Sequence, residues 1–297
     1  MNITQRILLT RIVTGFILFF LILRFFEHAT PSRFLAPPLF LVQLDIAYWL
    51  YKLADLPGLI VVNKTGAVFF DICLFLSGIL LFFFPLRKIW ILSFTILLFI
   101  YAISFNYFGM HHTHPLAGFM LILFPFWAAD NVRFNMLWEG MRYYTCYLYG
   151  MSFIWKTCIG DSFFNWKQGI GSFKLNLVNY LYQNPDTLLS GFYRWCLQES
   201  WLINSGWILV ILLEGFMLVG FFTKKFDALL FWIPVIIHFS TYLFANAFFI
   251  ELLVLDFTFL TGRQLKKIDG FLVVLQSKLP GRYRTRQEKE ITGDSIS

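Results

Sequence analysis

Residues 142–169, RYYTCYLYGMSFIWKTCIGDSFFNWKQG, decide how the whole chain is interpreted. The stretch is typical of an apolar helix that ends at a lysine and continues into a polar connection. Four polar side chains of that helix recur at spacings of four, three and four: Thr145, Tyr149, Ser152 and Lys156. This spacing places all four on one face. A polar face that ends in an amine is costly in an apolar helix, so we expect it to face other helices or a cavity.

The composition is that of a helical membrane protein. The 297 residues are 58% hydrophobic, 21% aromatic and 14% charged, whereas a typical soluble domain is about 25% charged. Such a chain has too little polar surface to cover a soluble globule. We therefore predict an all-α, polytopic membrane protein. No small-residue cleavage site follows the apolar residues 12–23, so we expect them to remain as the first helix.

Eight apolar segments are predicted to span the membrane, and two of them, the fourth and the eighth, are short. They are residues 7–26, 66–84, 89–107, 115–126, 137–156, 201–222, 228–244 and 247–261. Residues 39–51, and short helices within 157–201, are predicted to be interfacial. We expect residues 1–262 to form one transmembrane domain and residues 263–297 to form a basic cytoplasmic tail, amphipathic at first and then disordered.

The distribution of Lys and Arg predicts the orientation. With eight spans, the basic turns near residues 87–88, 133–142 and 224–225 fall on the same side as the basic tail. The positive-inside rule makes that side cytoplasmic, together with both termini. We expect a multi-pass protein of a bacterial inner (cell) membrane. The formal net charge of +7 indicates contact with anionic lipid head groups, and no motif indicates nucleic acid.

Seven ionisable side chains fall within predicted spans: Arg11, Asp71, Lys156, Glu214, His238, Glu251 and Asp256. Such groups are expensive in hydrocarbon and are functional candidates by default. Arg11 is near a helix end, and we expect it to reach the interface. Asp71 is a candidate counter-ion for Lys156, Arg24 or a histidine. Lys156 either reaches the outer interface or acts as a base in a poorly solvated pocket.

The remaining four groups are Glu214, His238, Glu251 and Asp256. Glu214 and His238 either pair with one another and hold two helices together, or line the same pocket as Lys156. We interpret Glu251 and Asp256 as packing or boundary residues.

The cysteines and the histidine cluster carry weak signals. Cys158 and Cys196 either pair in an extracytoplasmic loop or remain as buried free thiols. The HHTH sequence at residues 111–114 has poor spacing for a metal ion, and we predict no metal site.

Four pieces of the chain carry a family resemblance: HHTHPLAGFMLILFPFWAAD, YLYGMSFIWKTCIGDSFFNWKQG, LLEGFMLVGFF and IIHFSTYLFANAFFIELLVL. Their order is similar to the transmembrane part of the vitamin K-dependent gamma-carboxylase-like (HTTM) family. The resemblance implies a quinone cofactor of the naphthoquinone type, with Lys156 as base and His114 and His238 assisting. We expect Tyr149, Glu214 and Asp71 to contact that cofactor.

The sequence departs from the family pattern in three respects. Thr113 stands where the family commonly has Asn, and the interval from Lys156 to Trp166 is long. The chain as given also carries no large extracytoplasmic domain, so we do not expect gamma-glutamyl carboxylation.

Two functions of different classes follow. The first is a quinone or lipid pocket on the extracytoplasmic side, with a lysine base. The second is a non-catalytic scaffold, or a DoxX-like partner subunit of a redox or secretory system. A transporter is weaker, because no inverted repeat is visible. The expected partners are membrane lipids, a quinone, and a membrane or extracytoplasmic protein.

Overall fold

The computed structural model describes residues 1–34, 46–107, 116–160, 163–165, 167–245 and 250–278. Within these ranges every regular element is helical and no strand occurs, so the predicted all-α class is confirmed. The chain divides into two compact units, Met1–Leu260 and Thr261–Ser297. The second unit contains one described helix, α11, at Gly262–Lys278. Residues 279–297, and the disorder predicted for them, lie outside the described residues.

The described part of the first unit contains ten α-helices. They are α1 Ile3–Phe26, α2 Ile46–Leu53, α3 Lys64–Phe83, α4 Lys88–Tyr107, α5 Leu116–Leu121, α6 Asn131–Ile154, α7 Gln168–Gln183, α8 Leu188–Gln198, α9 Ser200–Phe216 and α10 Asp227–Ala245. Four 3₁₀ helices lie at Pro31–Arg33, Phe124–Trp127, Met217–Phe221 and Ile250–Phe259. Two π-helical turns lie at Gly58–Val62 and Trp155–Ile159.

Five helical segments in the described ranges are long and apolar enough to cross a membrane. They are Ile3–Arg33, Lys64–Phe83, Lys88–Phe105, Ser200–Phe221 and Asp227–Phe244. They correspond to the first, second, third, sixth and seventh predicted spans. In the described residues, the predicted fourth span contains the short helices α5 and Phe124–Trp127, and the predicted eighth span contains the 3₁₀ helix Ile250–Phe259. Helix α6, the fifth predicted span, has 24 residues, about 36 Å, but it is not apolar enough to be among the five.

Polar side chains set where the helices begin. Asn2 and Gln5 form a reciprocal capping box at the start of α1. Asn63 caps α3 by accepting from two backbone N–H groups, and Asp130 caps α6 by accepting from the Arg133 N–H at 2.8 Å. These caps satisfy donors that a helix start leaves unpaired.

The helices pack in two groups, one with α1, α3 and α4 and the other with α6, α9 and α10, and a central segment contacts both groups. Helix α3 packs against α1 and α4, and α6 packs against α9. The segment Ile250–Phe259, which we call the central 3₁₀ helix, contacts α1, α5, α6 and α10. The Arg6 guanidinium donates to the carbonyls of Phe126 (2.9 Å) and Ala128 (2.6 Å), which ties the start of α1 to the segment before α6. The C-terminal ends of α1 and α6 therefore lie at the same end of the bundle.

A buried ion pair closes the opposite end. Arg142 of α6 is 2% exposed and donates to Asp227 at 2.6 Å, and to the carbonyls of Gly220 and Thr223. Arg142 ends the basic turn 133–142 that the sequence predicts to be cytoplasmic. Inside the protein the Asp227 carboxylate neutralises its guanidinium.

Helices α7 and α8 form a separate layer over the ends of α9 and α10. Its core is a cluster of four buried side chains: Phe173, Leu177, Tyr193 and Cys196. The Tyr193 hydroxyl donates to the carbonyl of Leu243 at 2.7 Å and so fixes the layer to α10. Both Cys158 and Cys196 are free thiols. Cys158 is exposed rather than buried, and burial raises the pKa of the Cys196 thiol.

Candidate functional site

An ion pair between α6 and α9 forms the first part of a buried polar site. Lys156 Nζ lies 2.5 Å from Glu214 Oε1, and their side chains are 21% and 6% exposed. The Lys156 ammonium also lies 5.4 Å from the centre of the Trp207 ring, a cation–π distance. Lys156 belongs to the π-helical turn Trp155–Ile159, which directly continues α6. Such turns shift side chains out of the regular helical register and are frequent at functional sites.

A glycine lets the two helices approach closely at this level. A Cβ atom on Gly215 would lie 2.8 Å from the Phe153 ring, which is closer than real Cβ contacts. The absence of a side chain on Gly215 therefore permits the contact between α6 and α9 that brings Lys156 to Glu214.

A second polar pair lies deeper, between α6 and α10. The Tyr149 hydroxyl and His238 Nε2 are hydrogen-bonded at 2.7 Å, and both side chains are buried. His238 follows Pro234 by one helical turn, and a proline inside a helix removes one backbone hydrogen bond and bends the axis. Tyr149 also packs in one buried cluster with Met217, which directly follows α9, and with Phe259 of the central 3₁₀ helix. Tyr149 thus links α9, His238 of α10 and the segment that carries Asp256.

The site contains buried polar atoms that have no hydrogen-bond partner in the described part of the chain. They are Trp207 Nε1, Glu214 Oε2, Asp256 Oδ1 and Asp256 Oδ2. More than nine-tenths of buried polar groups in proteins are paired, with protein or with ordered water. These four atoms therefore retain unused hydrogen-bonding capacity, which a bound molecule could satisfy.

The central 3₁₀ helix carries Asp256 into this site. A 3₁₀ helix has three residues per turn, so side chains three apart stand above one another. Glu251 and Phe257 lie on one edge and contact Arg24 and Phe16 of α1.

The other two edges of the central 3₁₀ helix have different partners. Leu252, on the second edge, lies 3.3 Å from the position of a Cβ on Gly118 of α5. The third edge carries Asp256 and Phe259. The Phe259 ring lies 5.7 Å from the Arg142 guanidinium of α6 and packs in the same buried cluster as Tyr149. Each edge thus faces a different helix.

The structure brings together four of the side chains that the sequence singled out: Tyr149, Lys156, Glu214 and His238. Glu214 pairs with Lys156, and His238 pairs with Tyr149. Thr145 of the predicted polar face behaves as packing: its hydroxyl is buried and donates to the carbonyl of Met141 in its own helix.

Asp71 lies in a different polar cluster, near the end of α1. Its carboxylate accepts from the backbone N–H of Ser32 at 3.1 Å and from the Ser32 hydroxyl. Arg24, one of its proposed counter-ions, instead forms an ion pair with the fully buried Glu251. Glu251 therefore has a structural role, which agrees with its interpretation as a packing residue.

Some of the predicted features lie outside the described residues. These are His114 with the rest of the sequence at residues 111–114, Asp161, Ser162 and Trp166 of the polar connection, and residues 35–45 before α2. In the ranges that are described, no group of three or more His, Cys, Asp or Glu side chains is arranged to hold a metal ion.

The sequence predicted a packing or boundary role for Asp256 and did not predict that it belongs to the site. Its one signal was a carboxylate within the apolar run LLVLDFTF, and that signal did not reveal which helix the carboxylate faces.

Comparison with known proteins gives no further assignment. No family model, no curated protein and no solved structure matches the chain.

Proposed function

We propose that this chain is an integral membrane protein of the gamma-carboxylase-like type that binds a quinone in the polar site. The observation that carries the proposal is the placement of two polar pairs, Lys156 with Glu214 and Tyr149 with His238, around buried polar atoms that lack partners. A naphthoquinone has two oxygen atoms on opposite sides of a flat apolar ring. Such a molecule suits an apolar pocket with a few convergent polar groups. The family assignment rests on the sequence resemblance.

Lys156 is the proposed base of this site. Its ammonium must first lose a proton, and Glu214 Oε1, 2.5 Å away, can accept it. Where hydration is poor, the neutral pair competes with the ion pair, because isolated charges are costly to bury. The neutral amine can then accept a proton from a hydroxyl of the reduced quinone. His238, hydrogen-bonded to Tyr149, is the second group that we propose exchanges protons with the ligand, and His114 is a third by resemblance.

We propose that the site opens to the extracytoplasmic side of a bacterial inner (cell) membrane. Exposed cations at the opposite end of α6 from Lys156 support this orientation. Arg133 lies there with 70% of its side chain exposed, and Lys224, 61% exposed, pairs with Glu139. By the positive-inside rule, that end and both termini are cytoplasmic.

A membrane-impermeant maleimide tests the orientation on intact cells. The exposed thiol of Cys158, two residues after Lys156, should react, whereas the buried thiol of Cys196 should not. Reaction of Cys158 only after the cells are opened would place the site on the cytoplasmic side. A Cys158→Ser variant identifies the labelled thiol.

Ligand binding tests the function itself. The full chain in lipid nanodiscs is titrated with a short-chain naphthoquinone and with its reduced form, and binding is followed by calorimetry. Lys156→Ala should weaken binding of the reduced form at least tenfold, while the thermal unfolding profile still shows a folded protein. Lys174→Ala on α7 is the matched control, because Lys174 is exposed and takes no part in the site. Equal binding by wild type and Lys156→Ala would reject the proposed role of Lys156.

The alternative function, a non-catalytic scaffold or a DoxX-like partner subunit, has one observation in its favour. Lys156 and Glu214 satisfy each other's charge, as a structural ion pair between two helices would. Purification in native lipids separates the two functions. A bound quinone on an isolated chain favours the first, and a stoichiometric protein partner without quinone favours the second.

A further inference from the structure

Asp256 is the most deeply buried ionisable side chain of the polar site, and nothing in the two polar pairs uses it. Only 1% of the residue is exposed. Among the described residues, neither carboxylate oxygen has a hydrogen-bond partner, and no ion pair includes it. Lys156 and Glu214, the charged residues of the first polar pair, are paired with one another.

An ionised carboxylate in this position would be strongly destabilising. Burying a charge without a counter-ion or hydrogen bonds costs far more than burying the neutral acid, and such a group takes up a proton instead. A neutral carboxylic acid has one O–H donor and one carbonyl acceptor. In the position of Asp256 both remain unused, so the group is suited to a hydrogen bond with a molecule that enters the site.

The position of Asp256 also indicates the geometry of binding. It comes from the central 3₁₀ helix, whereas Lys156 comes from the end of α6 and Glu214 from α9. Tyr149 precedes Lys156 by seven residues, which is about two helical turns or about 10 Å along the axis. Asp256 shares an edge of the central 3₁₀ helix with Phe259, which packs in the same buried cluster as Tyr149, and it therefore belongs to the deep end of the site, with Lys156 at the outer end.

We propose that Asp256 is a ligand-binding residue of the polar site: as a neutral carboxylic acid it donates a hydrogen bond to an oxygen atom at the inner end of the bound molecule. The inference rests on the proposed function, because it supplies the second polar contact of the same ligand. The ligand class is a neutral, lipid-soluble ring compound with oxygen atoms at two opposite ends. No covalent step is involved.

Two substitutions separate hydrogen bonding from folding. Asp256→Asn keeps the shape and an N–H donor, and Asp256→Leu removes all polar atoms while keeping the same branched arrangement of heavy atoms. Replacing an unsatisfied buried polar group by an apolar one of similar shape is close to neutral or stabilising. Asp256→Leu should therefore unfold at the same temperature as wild type or higher, which a structural role for Asp256 would not allow.

The test uses the full chain in lipid nanodiscs, with a short-chain naphthoquinone and its reduced form as probes. Asp256→Leu should bind the probe at least tenfold more weakly than wild type, and Asp256→Asn should bind within threefold of wild type. The infrared difference spectrum between wild type and Asp256→Asn should contain the carbonyl band of a protonated carboxylic acid, and the probe should shift that band.

The outcomes separate this inference from the proposed function. If wild type binds the probe and Asp256→Leu binds it equally well, Asp256 is not a ligand-binding residue, while the proposed function stands. Absence of the protonated-acid band also overturns the inference. If wild type itself binds neither form of the probe, the proposed function fails and this inference fails with it.

Discussion

The two members of the Lys156–Glu214 pair should respond unequally to substitution, because they are buried to different extents. Replacing Lys156 with Met leaves the Glu214 carboxylate, 6% exposed, inside the protein without its counter-ion. Replacing Glu214 with Leu leaves the Lys156 ammonium, which is 21% exposed and has a flexible stem that can reach the interface. The carboxylate has no comparable route to water.

The magnitudes follow from this difference. Removing one partner of a buried ion pair costs about 3–5 kcal/mol, and we expect about 3 kcal/mol for Lys156→Met. For Glu214→Leu we expect about 1 kcal/mol, since the remaining charge is partly solvated. A hydrogen bond between membrane helices contributes on average only about 0.6 kcal/mol, so a loss of 3 kcal/mol would reflect the unpaired charge. The double variant should lose about 1 kcal/mol, against about 4 kcal/mol if the two effects were additive.

The assay is a double-mutant cycle on the free energy of unfolding, measured by denaturing-detergent titration of the full chain in mixed micelles. Lys174→Met on α7 serves as the control for loss of an exposed lysine, and we expect a change below about 0.5 kcal/mol. Equal losses for Lys156→Met and Glu214→Leu would show that burial does not decide the effect. An additive double variant would show that the two groups do not interact.

Three further predictions test the surrounding structure by the same unfolding measurement. Tyr149→Phe removes the hydrogen bond to His238 and should cost about 0.6–1.7 kcal/mol; a stabilising effect would contradict that bond. Arg142→Ala leaves Asp227 buried without its partner and should cost at least about 3 kcal/mol, whereas an Arg142→Ala/Asp227→Ala double variant should recover part of that loss. Gly215→Ala forces a methyl group against Phe153 and should cost about 1–3 kcal/mol. As the control, Gly206→Ala on the same helix places its methyl group in open space and should be neutral or slightly stabilising. Similar losses of stability at the two glycines would refute the close packing of α6 on α9.

The sequence predicted the local features of the site well, because they depend on helical spacing. Tyr149 and Lys156 are seven residues apart, so regular helical spacing predicts that they share a face, although Lys156 lies in the π-helical turn after α6. The presence of Glu214 and His238 within apolar segments likewise marked them as candidates for burial. Composition alone was enough to predict a helical membrane protein.

The partners within the site could not be predicted from the sequence. Whether Glu214 meets His238 or Lys156 depends on the rotation of α9 and on the close approach at Gly215, neither of which has a sequence signal of its own. The role of Asp256 depends on a 3₁₀ conformation over ten residues, and such runs rarely exceed three or four. An apolar run does not distinguish this conformation from an α-helix, in which Asp256 would point elsewhere.

The three-residue repeat of the central 3₁₀ helix makes its length more critical than its composition. Each residue turns the helix by about 120° and advances it by about 2 Å. Deleting one residue between Glu251 and Asp256 would turn the carboxylate from the edge that faces α6 to the edge that faces α5, and an insertion would turn it towards α1. A change of side chain in this segment has a local effect, whereas a change of one residue in its length reassigns the neighbours of everything beyond it.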